Sequence, residues 1–298
     1  MQNKVLITGG TGLLGKALIE KNDDGDEIMA TYTGNYVAES HGQVKYLMLD
    51  IRDKSGYESL FNDFRPNVVI HTASIGSPDF AHNNRGITLE VNVNGVKNIL
   101  SLCERYNSTL IHISSNGIYD GENAPYSEDD HAEPKNYYGQ TKLQGEEVVK
   151  KTEIPFAIVR PILMYGWNHS FERQNIVTIA LSKLIKNEKV FVYDDVYSNP
   201  LFSGSCANAI WKMINSNQYG IFNLAGRERV SIYELVVAVA EIFNLNKELV
   251  IPVKQGYFNE LVPRPKDTSY NTAKMEKILK IKPLTLFEGL EKMRSTQK

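Results

Sequence analysis

The chain has 298 residues, 42% hydrophobic and 23% charged, with 33 basic side chains against 35 acidic ones. That is a soluble globular composition with apolar mass for a large core, or for two lobes that share one. The balanced charge argues against nucleic acid as a partner, and no apolar run approaches the about 20 residues of a membrane helix, so no membrane partner is expected.

The chain opens "MQNKVLITGG" and enters a strand at once, without the pattern of a secretory leader. Cys103 and Cys206 stand alone, with no CxxC spacing, and are expected to be buried, reduced thiols. Together these point to a cytoplasmic protein. The first strand, residues 4–9, runs into "TGGTGLLGKAL" (8–18), where a helix begins. Gly9, Gly12 and Gly15 spell GxxGxxG, and Gly10, Gly12 and Gly15 spell GxGxxG. In either register the glycines allow a sharp turn and a close backbone approach to a pyrophosphate, whose charge meets free amides at the helix start. Thr11, Leu13 and Leu14 lie in the same turn.

Further strands are predicted over residues 27–32, 44–50, 67–73, 109–115 and 155–161, alternating with helix-length segments such as 89–106. The alternation predicts an α/β fold, a doubly wound parallel sheet of the Rossmann type, and the near-continuous apolar runs suit strands covered on both faces. The second strand ends at Thr31, Tyr32 and Thr33, without the acid that usually binds both ribose hydroxyls. That absence leaves room for a 2′-phosphate and favours NADPH, with NADH as the second choice. Lys16 and Arg52 are candidate phosphate partners or plain surface charges. Asp50, followed by Ile51, either accepts from an adenine amino group or caps the next helix.

Residues 137–142, "YYGQTK", open a predicted helix that sets Tyr138 and Lys142 one turn apart on one face. An ammonium near a phenol favours the phenolate and would lower the tyrosine pKa towards working pH, as a general acid or base requires. Tyr137 has no lysine at that spacing and is expected to pack. Beyond residue 161 the rhythm loosens: helices near 171–187, 203–215, 231–243 and 284–294, a single strand at 220–226, and a proline-rich passage at 262–267. The division expected is a dinucleotide-binding domain over 1–160, completed by the strand near 220–226, and a smaller C-terminal α/β lobe over 161–298.

The glycine turn followed by YxxxK in an alternating chain resembles the extended, nucleotide-sugar-modifying branch of the short-chain dehydrogenase/reductase superfamily. "ISSNGIYDG" (113–121), "NVNG" (92–95), "HTAS" (71–74) and "RPILMYG" (160–166) fit it in order. Within the branch, residues 125–146 and "RPKDTSYNTAKMEKIL" (264–279) look most like the dTDP-4-dehydrorhamnose reductases. The resemblance implies Ser115, Tyr138 and Lys142 as the catalytic set, with the "IYDG" register selecting Ser115 over Ser114. It implies Asn92 as a structural asparagine in the cofactor region, Thr72, Ala73 and Ser74 under the cofactor, and Pro161 in the loop bordering the nicotinamide.

The activity implied is reduction of a 4-keto nucleotide sugar, with the second lobe binding substrate and a homodimer formed through the helices of "NVNG" and "YYGQTK". Asn116 and Arg264 are candidate substrate contacts, the guanidinium suiting a nucleotide diphosphate. Asn116 and Gly117 depart from the usual aspartate and aromatic, which leaves the sugar open. Asn116 also argues against a 4,6-dehydratase. Two alternatives stay open: an epimerase holding NAD tightly, and a cofactor-binding regulatory subunit like the methionine adenosyltransferase beta subunit. His71 and His112 are expected to pack or make local hydrogen bonds, and the histidines show no metal-ligand spacing, so no metal is expected. Tyr165 and Trp167 either line the pocket or pack.

Overall fold

The apolar runs become strands buried on both faces, because alternate side chains enter two different cores. In β1 (Lys4–Thr8), Val5 and Ile7 face one core and Leu6 the other. β2 (Glu27–Tyr32), β3 (Val44–Met48), β4 (Val68–His71), β5 (Thr109–Ile113) and β6 (Phe156–Pro161) complete the first half. The structure is a computed structural model that describes residues 2–34, 40 and 42–297. Its main sheet has seven parallel strands: residues Gly220–Leu224 stand at one edge, followed by β6, β5, β4, β1, β2 and β3. The order reverses between β1's two neighbours, β2 and β4, so a crevice opens at the carboxyl ends of these strands.

Helices cover both faces. α1 (Leu13–Glu20) lies on one, and α2 (Lys54–Phe64) packs with the helix over Gly95–Tyr106 on the other. The long helix expected at 89–106 differs from the observed one. It begins earlier, after the short α3 (Pro78–Asn83), as α4 (Arg85–Leu89), and widens into a π turn at Glu90–Asn94 before α5 (Gly95–Tyr106). That wider turn contains Asn92, a buried polar residue, and π bulges recur at functional sites. α6 (Tyr137–Val149) follows a long loop.

The second half holds more strands than the single one expected. β7 (Met164–Tyr165), α7 (Ile176–Ile185), β8 (Val190–Tyr193), β9 (Tyr197–Ser198), β10 (Leu201–Phe202) and α8 (Ser203–Asn215) lead into β11 (Gly220–Leu224). β12 (Val230–Ser231), α9 (Ile232–Ile242), β13 (Val250–Val253), α10 (Ala273–Leu279) and α11 (Leu286–Ser295) complete the chain. The short strands pair as β10 with β7, β12 with β9 and β13 with β8. β11 returns to the main sheet beside β6, and α8 packs on α1. α7, α9 and α11 bury a separate core around Leu181, Leu235, Val239 and Leu290. Cys103 and Cys206 are both free and buried.

Candidate active site

Above the carboxyl ends of the strands lies a cleft of about 1090 Å³, lined by both halves of the chain. Its floor is the glycine turn. Gly9 has φ +70, in the left-handed region that glycine enters without strain. A Cβ on Gly15 would meet the Gly9 carbonyl oxygen and come within 2.7 Å of the Gly10 backbone, so only glycine lets α1 start this close to β1. Gly12 precedes α1 with no side-chain cap, and Gly12, Leu13 and Leu14 line the cleft. This cradle fits a dinucleotide pyrophosphate in shape and in charge.

Gly9, Thr11, Gly12, Leu13, Leu14, Thr31, Asp50, Ile51, Thr72, Ala73, Ser74 and Pro161 line this one cleft, together with Ser115, Asn116, Tyr138 and Arg264. Gly15, Asn92 and Lys142 stand behind the wall. Asn92 accepts from the Ile75 amide at 2.8 Å and donates to the Ile75 carbonyl and the Thr141 hydroxyl, both at 3.1 Å, so it ties the loop after β4 to α6. Lys142 is buried and donates to the Ile113 carbonyl at 2.6 Å.

Asn136 caps α6 by accepting from Gly139 N at 3.1 Å, and it donates to the Pro263 carbonyl at 3.1 Å. A Cβ on Gly139 would strike the Gly117 carbonyl, so glycine there lets α6 rest on the turn after β5. Tyr138 consequently sits beside Ser115. The Ser115 hydroxyl accepts from Gly117 N at 3.1 Å and lies 3.4 Å from the Asn116 side-chain oxygen. Asn116 in turn donates to Thr268 Oγ1 at 2.7 Å, a bond from the turn after β5 to the second half.

The electrostatics differ from the sequence expectation. Burial raises the Tyr138 pKa above its usual value and outweighs the lowering by the Ser115 hydroxyl and the Arg173 charge. Lys142 does not act on the phenol in the free protein. Its own pKa is lowered to about 8 by burial, partly offset by Glu146. The physical reason is that its ammonium is spent on Ile113 instead of standing free beside the phenol.

Behind Ser115 lies a buried ion pair. Arg160, 3% exposed, meets the fully buried Glu146 through two bonds of 2.9 and 2.6 Å, and Ser114 donates to the same carboxylate at 2.5 Å. Burial pulls the Arg160 pKa down, but the bond and charge of Glu146 outweigh it and hold it above its usual value. His71 shares a 2.8 Å bond with Thr8 Oγ1, and its ring stacks on His112 at 5.6 Å. Both histidines are kept neutral, first by burial and then by Lys142.

Several alternatives left open by the sequence are decided by the folded chain. Lys16 donates to the Trp167 carbonyl at 2.9 Å and faces a different cavity, so it is not on the cofactor cleft. Asp50 does not cap α2: Asp53 does, accepting from Gly56 N at 3.0 Å. Asp50 instead grips the Arg52 guanidinium at 2.9 and 2.7 Å, and that bond outweighs burial to lower its pKa. Tyr165 is buried among α7, α9 and α11, and Trp167 also lies outside the cleft. Tyr137 packs under the Arg85 guanidinium at 5.0 Å.

The structure adds wall residues that carried no motif. The segment before α7 reaches over the cleft: Thr11 Oγ1 donates to Glu172 at 3.0 Å, and Arg173 donates to the Gly76 carbonyl at 3.2 Å. Arg264, a candidate from the sequence, donates to the newly placed Asp79 at 2.6 Å, and its Nε stands 3.6 Å from Glu260. Asn136 alone had a sequence signal, as a capping residue type directly before a helix.

A family model described as RmlD substrate binding domain matches residues 3–297. The methionine adenosyltransferase 2 subunit beta of Bos taurus is 30% identical over 84% of this chain and 75% of its own length. A dTDP-4-dehydrorhamnose reductase of Aggregatibacter actinomycetemcomitans is 28% identical over 98% of both chains. Among solved structures, a dTDP-4-dehydrorhamnose reductase from Bacillus anthracis, in complex with NADP, superposes with TM-score 0.88 at 24% identity over the whole of both chains. That likeness establishes the Rossmann-type fold.

Proposed function

The chain belongs to the RmlD substrate binding domain family, and from that premise we propose that it reduces the 4-keto group of a nucleotide-linked 6-deoxyhexose with NADPH. The observation that carries this reading is the single cleft in which the glycine turn, Ser115, Tyr138, Asn116 and Arg264 face one another. The reductase relative supports it by matching end to end, whereas the chain spans 75% of the bovine beta subunit.

The glycine turn and the amides at the start of α1 hold the pyrophosphate, with Thr31, Asp50 and Ile51 around the adenosine. Arg52 and Thr33, where the second strand ends without a carboxylate, suit a 2′-phosphate better than a free ribose pair, which favours NADPH over NADH. Thr72, Ala73, Ser74 and Pro161 flank the nicotinamide half, and Lys142 binds its ribose. The bound nicotinamide supplies the hydride.

Tyr138 supplies the proton. A phenol with a raised pKa stays protonated at neutral pH and is ready to donate to the substrate oxygen as negative charge develops there. Ser115 donates a hydrogen bond to the same oxygen. Arg173 offers the positive charge that favours the resulting phenolate. Arg264 exchanges its carboxylate partners for the substrate diphosphate. A homodimer through the flanks of α5 and α6 belongs to the same reading.

The test is NADPH and then NADH consumption against a panel of nucleotide 4-keto-6-deoxysugars, with products identified by mass. A product two hydrogens heavier than its substrate is expected. Tyr138→Phe is expected to keep cofactor affinity and lose nearly all turnover; unchanged turnover would remove Tyr138 as the acid. The bovine beta subunit favours a second reading, a cofactor-binding regulatory subunit. Cofactor binding without consumption, together with stoichiometric co-purification of a methionine adenosyltransferase, would select it.

A further inference from the structure

A second cavity, of about 510 Å³, opens between α1, the start of α8 and the end of α11, and it shares no lining residue with the cofactor cleft. Its charged wall consists of Lys16, Lys21 and Lys292 against one carboxylate, Glu20. Glu20 stands 3.5 Å from Lys16, whose ammonium also donates to the Trp167 carbonyl. Lys21 and Lys292 make no ion pair among the described residues, so the described lining carries three ammoniums against one carboxylate.

Two further features select an anion. α8, a helix of 13 residues, starts at Ser203 with no side-chain cap, and Ser203, Gly204 and Ser205 of its first turn line the cavity. Its positive end therefore faces the space. Ser203 is only 5% exposed, yet its hydroxyl has no hydrogen-bond partner among the described residues. That hydroxyl, on the cavity lining, is free to donate to a bound acceptor. The hydroxyls of Ser295 and Thr296, on the far wall, are already bonded to the Lys292 and Met293 carbonyls at 2.8 and 2.9 Å. Ser203 thus marks where the ligand's acceptor would sit.

The cavity exceeds what a bare phosphate fills, and the rings of Trp167 and Phe202 supply an apolar wall beside the cationic one. We propose that this cavity binds a small phosphorylated metabolite, its phosphate held by Ser203, Lys21, Lys292 and the start of α8, and its organic part lying on Trp167 and Phe202.

The experiment titrates the full chain with glucose 6-phosphate, inorganic phosphate and glucose at constant ionic strength, since exposed ammoniums are screened by salt. Calorimetry and the fluorescence of Trp167 report binding. Each titration is run with and without saturating NADP+, whose own affinity is measured first, so failure of the cofactor reading registers separately. Glucose 6-phosphate is expected to bind at one site, inorganic phosphate more weakly, and glucose not at all, regardless of NADP+. The double variant Lys21→Glu/Lys292→Glu, at solvent-accessible positions, should weaken glucose 6-phosphate at least about tenfold without changing the melting temperature or NADP+ affinity. Ser203→Ala should weaken it about fivefold, the loss of one hydrogen bond. Three outcomes overturn the proposal: no binding of either phosphate up to about 20 mM, far above any specific affinity; binding unchanged in the double variant; or binding lost when NADP+ is present, which puts the probe in the cleft.

Discussion

Replacing Glu146 with glutamine should remove the support behind the candidate catalytic serine. The Arg160 guanidinium would keep only uncharged close partners, the Tyr119 hydroxyl at 2.8 Å and the Glu128 carbonyl at 2.9 Å, in an interior where it is 3% exposed. Leaving a buried charge without its counter-charge costs ~3–5 kcal/mol. Average per-residue values give a chain of this length an unfolding entropy of about 0.6 kcal/mol per degree, so the melting temperature should fall by about 5–8 °C. Thermal unfolding followed by circular dichroism reads this directly. The double variant Glu146→Leu/Arg160→Met removes both charges and should recover most of the loss, because desolvation of the pair offsets much of its attraction. Ser114, which donates to Glu146, adjoins Ser115 in the chain, so kcat should fall in the single variant as well. A melting temperature within about 2 °C of the parent for Glu146→Gln would refute the reasoning, since it would mean the guanidinium finds compensation elsewhere.

Acid should destabilise the fold through the two stacked histidines. His71 titrates at about 3 when folded and near 6.5 when unfolded, so the unfolded chain holds more protons between those values and stability is lost as pH falls through that window. The slope is about 1.4 kcal/mol per pH unit for each such histidine. His112 is shifted the same way, and neither of its ring nitrogens has a hydrogen-bond partner among the described residues. His112→Leu should therefore unfold in urea at pH 7 no more easily than the parent and lose less stability by pH 4.5; an identical acid slope would count against this assignment. NADPH affinity should hold steady at neutral pH and fall as pH rises through about 8, where Lys142 loses its proton. In Lys142→Met that dependence should vanish along with the tight binding, as fluorescence titration across pH would show. Gly15→Ala forces a Cβ onto the backbone of Gly9 and Gly10; overpacking of ~1–3 kcal/mol should lower both melting temperature and NADPH affinity, and a variant matching the parent in both would show that the turn can yield.

Much of this protein is local physics, and so is legible in its sequence. A strand running into a glycine turn and a helix needs only neighbouring residues to announce itself, and β1, Gly9, Gly15 and α1 follow from that. The parallel strands were legible because covering both faces makes them continuously apolar. The helical spacing of Tyr138 and Lys142 is equally local. The two-residue strands β7, β9, β10 and β12 were not legible, since a pair that short has no period to detect. What only the tertiary structure decided is where charges end up. Lys142 is spent on Ile113, Lys16 on Trp167, Asp50 on Arg52, and Arg173 arrives beside Tyr138 from a distant loop. Helical spacing sets which residues share a face, but a pKa depends on burial and on every nearby charge, and those are properties of the folded interior.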